Sequence, residues 1–287
     1  MTSPVSARNS ARFLRGLIST FTYPRALLGN YGLPKLAYDT PERRERGLTI
    51  LLPGIEGQSS LSHSVVNGLI DGGVKVAIEI FDWTFNVKPA MFNLWMPNRN
   101  ARLAASIAEK ICDYQDLYPG RDVTLVGHSG GGAMIPKILE ALPNGREITR
   151  AVMIAPAISP RYDLSCALQA ISDRIYHVRS PLDLYFLGFG TMAVGTLDRK
   201  HCPSAGNRGF RLPEETETEK HQLYSDKFHQ IDYSIKMLKD WHYGGHLSCM
   251  NRVFVEKHIA PLLTQVPPAA VEKVVPEKRI LHEVATA

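Results

Sequence analysis

Asp122-Val123-Thr124-Leu125-Val126-Gly127-His128-Ser129-Gly130-Gly131-Gly132-Ala133 is the stretch from which the rest of the chain can be read. An apolar, β-branched run from Val123 to Val126 meets a glycine-flanked turn with Ser129 at its tip. Apolar residues at helical spacing follow, Ala133, Met134, Ile135, Ile138 and Leu139. Strand, tight turn and helix form the context in which Gly127-His128-Ser129-Gly130-Gly131 gains meaning as a Gly-x-Ser-x-Gly motif. A serine on such a turn sits on strained backbone, and only small neighbours let the two arms pass close together. Gly127 and Gly131 supply that room. The expected result is a Ser129 hydroxyl lifted clear of the sheet at a helix N-terminus, where backbone N–H groups face a developing anion.

On this motif the chain resembles the α/β-hydrolase family. The resemblance implies a chain order of serine, acid and histidine, with an oxyanion loop upstream of the serine. It implies a mostly parallel central sheet with helices on both faces.

The strand and helix pattern reads the same way. Leu48 to Leu52 is a buried-strand pattern ending in Pro53-Gly54-Ile55-Glu56-Gly57, and Leu61 to Ile70 reads as a helix. A strand at Val74 to Phe81 precedes a loop of residues 84–98 that is rich in apolar side chains. A helix from Arg99 to Leu117 leads to the nucleophile strand. Beyond it come a strand at Ala151 to Ala155, a short helix at Leu164 to Ile171 and a strand at Ile175 to Val178. A last strand is expected at Phe228 to Tyr233 and a final helix at Leu247 to Leu263. Near-continuous apolar strands alternating with helices argue for a parallel sheet covered on both faces. The strands that precede Asp163 and Asp183 are too close in sequence for a large cap domain between them. Residues 198–222, polar and carrying the charge run Glu214 to Lys220, read as a solvated excursion with a flap over the site as the alternative; any lid must come from them or from the 84–98 loop.

Three side chains complete the chemistry. A serine hydroxyl needs a base, and the base needs an orienting carboxylate. His246 is the candidate base, on a loop after the last expected strand and behind Gly244-Gly245, which let it bend back. His242 is the fallback. Its i, i+4 spacing to His246 has the form of a metal pair, but the glycines between them disfavour a helix and no third ligand is suggested. Asp183 is the candidate acid, just beyond the Ile175 to Val178 strand, where open α/β sheets gather their ligand chemistry; Asp163 is the alternative. Either could instead cap a helix, and Asp183 could do both. The resemblance implies that the backbone N–H groups of Gly130 and Ile55 hold the oxyanion. The Ile55 loop resembles the family's His-Gly-x-x-Gly sequence with Pro53 in place of histidine, and Gly54 is expected to permit close approach. Glu56 could contact the substrate, but it reads first as a solvent-facing or salt-bridged carboxylate.

Composition sets the bounds. The chain has 287 residues, 44% hydrophobic and 21% charged, enough for one large α/β domain. Its net charge of +5 lies wholly in residues 1–46, with eight basic against three acidic residues; the remainder carries 25 of each. No basic patch interleaved with aromatics points to nucleic acid. Residues 1–30 have no acidic residue, and Phe13, Leu14, Leu17 and Ile18 could stripe a basic amphipathic helix. Three segments follow: a basic, partly ordered N-terminal part (1–45) with possible peripheral membrane contact, a hydrolase domain (46–263) and an unstructured tail (264–287). The four cysteines have no metal-type spacing, no run reaches the roughly 20 apolar residues of a membrane span, and a cytoplasmic location is expected. The resemblance implies a carboxylic-ester hydrolase acting on a small ester or acyl substrate with neither cofactor nor metal. Alternatives are a thioesterase, amidase or C–C hydrolase with the same triad, or a non-catalytic binding protein on this fold.

Overall fold

The structure, a computed structural model, describes residues 4–29, 31–85 and 89–264. The expected C-terminal tail lies outside them apart from Thr264. In chain order the elements begin with α1 (Pro4–Phe21), α2 (Pro41–Arg44), β1 (Leu48–Leu52), α3 (Ser60–Asp71), β2 (Ala77–Ile80) and α4 (Pro97–Leu117). β3 (Val123–His128), α5 (Gly130–Glu140), β4 (Ile148–Ile154), α6 (Ser165–Gln169) and β5 (Ile171–Arg179) follow. After a π-type turn at Leu184–Gly190 come α7 (Thr191–Val194), α8 (Ala205–Arg208), α9 (Thr218–Lys227) and β6 (Phe228–Asp232), then α10 (Arg252–Phe254) and α11 (Ala260–Thr264).

The six strands form one sheet in the order β2-β1-β3-β4-β5-β6, and every neighbouring pair is parallel. All residues of β1, β3 and β4 are buried, as a sheet covered on both faces requires. Thr49 and Thr124, at paired positions of β1 and β3, meet this demand by sharing a hydroxyl hydrogen bond of 2.7 Å inside the sheet. Right-handed crossovers place a helix on one face when the chain steps one way along the sheet and on the other face when it steps back. The step from β1 out to β2 carries α3; the later steps carry α4, α5, α6 and α9. The reversal falls between β1 and β3, so the loops at the carboxyl ends of these two strands form the crevice where such sheets gather ligands.

Local physics moved several boundaries. The final helical stretch begins at Arg252, not Leu247, because Asn251 caps it by accepting from Val253 N–H at 2.9 Å. Residues Ser248–Met250 are instead a separate turn. β5 starts four residues before the expected Ile175, because β4 begins at Ile148 and pairs there with Ile171.

The N-terminal segment folds as α1 with its charged face inward. Arg12 pairs with Glu256 at 2.8 Å, and Arg15 pairs with Asp71 at 2.5 Å and Glu256 at 3.1 Å. Ser19 Oγ and Ser64 Oγ lie 2.7 Å apart in the interface. Phe13, Leu14 and Ile18 of the anticipated apolar stripe are exposed. No helix among the described residues is long and apolar enough to cross a membrane.

Candidate active site

The elbow at Ser129 has the strain its sequence implies. Ser129 takes φ 53° and ψ −117°, a conformation that costs a non-glycine residue about 1–3 kcal/mol and persists only when its surroundings hold it. Three backbone hydrogen bonds do so: Ser129 N–H donates to Ile154 O, and Ser129 O accepts from Ala133 and Ala157, each at 3.0 Å. A Cβ on Gly127 would run into Gly131 O, and one on Gly131 would collide with the carbonyl oxygens of Leu52 and Pro53. The two glycines thus let the elbow close on itself and seat it against the end of β1. Gly130, first residue of α5, has no intrahelical partner for its N–H.

The loop after β1 is held plane by plane. Gly57 N–H donates to Gly54 O at 3.1 Å and so fixes the peptide whose N–H belongs to Ile55. Trp83 Nε1–H donates to Pro53 O at 2.7 Å, and Asn93 Nδ2 donates to Ile55 O at 3.2 Å. A Cβ on Gly130 would meet Ile55 Cγ2 at 2.8 Å, which puts the Ile55 loop beside the helix N-terminus. One expectation is corrected here. Among the described residues Glu56 has no salt-bridge partner, and although the residue is half-buried its Oε1 is buried without a hydrogen bond while the side chain lines the cavity. Gly54 makes room for that carboxyl, since a Cβ there would strike Glu56 Oε2.

Asp183 and His246 come together from distant stretches. His246 Nδ1 lies 2.6 Å from Asp183 Oδ2, with Asp183 only 2% exposed. Asp183 also caps the following turn, where Oδ1 accepts from Leu187 N–H at 3.4 Å. The acid loop is strapped from behind by buried Asn207, whose Nδ2 donates to Pro181 O at 3.0 Å and Asp183 O at 3.2 Å. Ser180 Oγ ties this loop to the histidine loop through Gly244 O at 2.5 Å. His246 is sandwiched: Phe186 stacks on it at 5.0 Å and His128 lies on it at 4.6 Å. His128 Nε2–H donates to His246 O at 3.1 Å, and burial pushes its pKa well below the usual value, so its ring is neutral.

Ser129, His246 and Glu56 open into one cavity of about 830 Å³ whose walls include Ile55, Leu61, Met91, Leu94, Leu187 and Val194. No hydrogen bond joins Ser129 Oγ to His246 Nε2; the two side chains share the cavity wall. One wall is formed by Ala90, Met91 and Leu94 and another by the turn at 185–195, clipped together where Trp95 Nε1–H donates to Val194 O at 2.7 Å. Residues 198–222 contribute nothing to this lining. Their part at α8 is buried and carries Asn207.

The alternatives fall elsewhere. Asp163 is exposed; burial would raise its pKa, but hydrogen bonds from Lys220 and Ser165 hold it at about 2. His242 is buried with Nδ1–H donating to Ser248 Oγ at 2.9 Å, and burial lowers its pKa to about 4. Among the described residues no group of three or more His, Cys, Asp or Glu side chains could hold a metal ion. Sequence reasoning missed Asn93, Asn207 and Phe186, because an amide or an aromatic in a loop carries no motif until its neighbours are known.

Comparison with protein-family models and with curated proteins gives no match. Among solved structures, the chain is similar to the poly(3-hydroxybutyrate) depolymerase LpqC from Bordetella parapertussis. That match has 12% identity and a TM-score of 0.46, and covers 84% of this chain and 83% of that one. Est1E from Butyrivibrio proteoclasticus matches at 12% identity and TM-score 0.44, over 78% of this chain and 90% of that one. Esterase PE8 matches at 14% identity and TM-score 0.41, over 66% and 84%. These likenesses say nothing about substrate. The chain's own parallel sheet, with an elbow after β3, an acid loop after β5 and a histidine loop after β6, has the α/β-hydrolase fold.

Proposed function

We propose that the protein is a serine hydrolase that cleaves a carboxylic ester through an acyl-enzyme on Ser129. Ser129 Oγ attacks the ester carbonyl while His246 Nε2 takes its proton. Asp183 holds Nδ1–H, which fixes the tautomer that leaves Nε2 free and stabilises the imidazolium that forms. The tetrahedral oxyanion is held by the backbone N–H groups of Gly130 and Ile55. Collapse of that intermediate expels the alcohol, which His246 protonates. Water, deprotonated by His246, then attacks the acyl carbonyl and releases the acid and Ser129. Catalytic hydrogen bonds between nucleophile and base commonly tighten only when substrate is bound, in keeping with the shared wall of Ser129 and His246.

The observation that carries this reading is the buried 2.6 Å contact of His246 Nδ1 with Asp183 Oδ2, made beside a serine at φ 53° in the same cavity. The apolar walls suit an ester with a hydrocarbon acyl or alcohol part. A p-nitrophenyl butyrate assay tests the reading. The expected result is a burst of p-nitrophenol stoichiometric with enzyme and loss of turnover in Ser129→Ala. Unchanged turnover in Ser129→Ala would refute it.

A further inference from the structure

Glu56 is a half-buried acid, its Oε1 fully buried, that the triad chemistry does not use. Its carboxyl is folded back over its own loop, it lines the cavity that Ser129 and His246 share, and Oε1 has no hydrogen-bond partner. Among the described residues, no other residue lining that cavity is Asp, Glu, Lys or Arg. A carboxyl taken out of water is either kept neutral or paired, because an isolated buried charge is very costly.

The surroundings decide which of the two this site is built for. Burial pushes the Glu56 carboxyl up, but the backbone N–H of Glu56, the neighbouring His246 and the backbone N–H of Gly54 act in the opposite sense. N–H donors reward the ionised acceptor; an acid meant to stay neutral and donate would be met by acceptors. Among the described residues the lining offers this carboxylate no Lys or Arg, and the imidazole of His246, which acts on Glu56 in the same downward sense, is already paired with Asp183. Aromatic rings of Tyr23, Tyr185, Phe186 and Phe189 line the same cavity, and such faces attract a cation that has left water.

We propose that Glu56 and these rings form a subsite for a positively charged ammonium group on the substrate, seated beside the scissile ester. The ammonium pairs with the ionised Glu56 carboxylate, any proton the acid held passing to solvent, and so supplies the missing half of the ion pair. This inference deepens the hydrolase reading and rests on it for the word substrate, but the subsite itself can be tested without turnover.

The turnover arm compares butyrylcholine with 3,3-dimethylbutyl butyrate, its uncharged isostere. The expected wild-type kcat/KM favours the cationic ester by about tenfold or more, as a desolvated charge pair should, and Glu56→Gln brings the ratio close to one. A wild-type ratio near one overturns the proposal. So does a ratio that Glu56→Gln preserves but Glu56→Leu abolishes, since that marks a hydrogen bond and not a charge.

The binding arm titrates choline and 3,3-dimethylbutanol into Ser129→Ala protein by calorimetry. Choline is expected to bind the tighter, with affinity rising as pH rises, and to lose that advantage in Glu56→Gln. His246, Asp82 and Cys249 also face Glu56, and the uncharged alcohol reports their titration separately. Glu56-dependent choline binding with no ester turnover sinks the hydrolase reading and leaves the subsite standing. Ester turnover with no choline preference in either arm sinks the subsite alone.

Discussion

His246 Nδ1 and Asp183 Oδ2 lie 2.6 Å apart although 63 residues separate them in the chain, and both are buried. The contact exists because two loops at adjacent strand ends are tied to each other through Ser180 Oγ and Gly244 O. Replacing the carboxylate with an amide keeps the shape but allows the wrong histidine tautomer. Asp183→Asn should lower kcat by about 10³–10⁴-fold. Steady-state kinetics measure this, with the melting temperature as a control for folding.

Asn93 acts at one remove. Its amide turns the Ile55 carbonyl, and so the loop whose Ile55 N–H is to hold the oxyanion. Asn93→Ala should loosen a donor that matters in the transition state more than in the ground state. A fall in kcat of about tenfold with KM little changed is expected, since small misplacements cost this much or more. A merely structural role would lower the melting temperature and leave the kcat of the folded fraction intact.

Gly131 tests the elbow. Its missing Cβ would overlap the carbonyl oxygens of Leu52 and Pro53, and backbone cannot swing aside as a side chain can. Gly131→Ala should cost about 3 kcal/mol or more, above the usual range for overpacking by one carbon. Urea unfolding reads it directly, and Gly145→Ala, at a position with open space around it, is a useful contrast because only its positive φ is strained.

Buried histidines, His128, His177 and His242 among them, contribute to the acid side of the stability profile. Burial lowers His177 to about 3 and His242 to about 4, below an unfolded value of about 6.5. The unfolded chain therefore binds more protons between these values, and stability falls as pH falls across that interval. Each histidine should cost about 2 kcal/mol of stability between pH 7 and pH 5. His242→Gln should flatten its share of that slope in urea melts taken at the two pH values.

Much of the site was legible because its parts obey local rules. The elbow is written in Gly127, Ser129 and Gly131, whose spacing admits few other backbones. Asp183 and His246 were readable from their places after strands. Other features depend on who the neighbours are. Glu56 reads as a surface carboxylate in sequence, yet the turn from Gly54 to Gly57 folds its carboxyl into the cavity. Asn207 lies in a polar stretch that resembles a solvated excursion, but α8 buries it against the acid loop. Arg12 and Arg15 look like a solvated basic face until Glu256 and Asp71, far along the chain, are seen to receive them.

Reaction with a fluorophosphonate probe bears most directly on whether Ser129 is an activated nucleophile. Mass spectrometry of the folded protein should find one adduct, on Ser129, absent in Ser129→Ala and formed far more slowly in His246→Ala. A folded protein that takes up no probe, or takes it up equally fast without the imidazole, would contradict the chemistry proposed for this cavity.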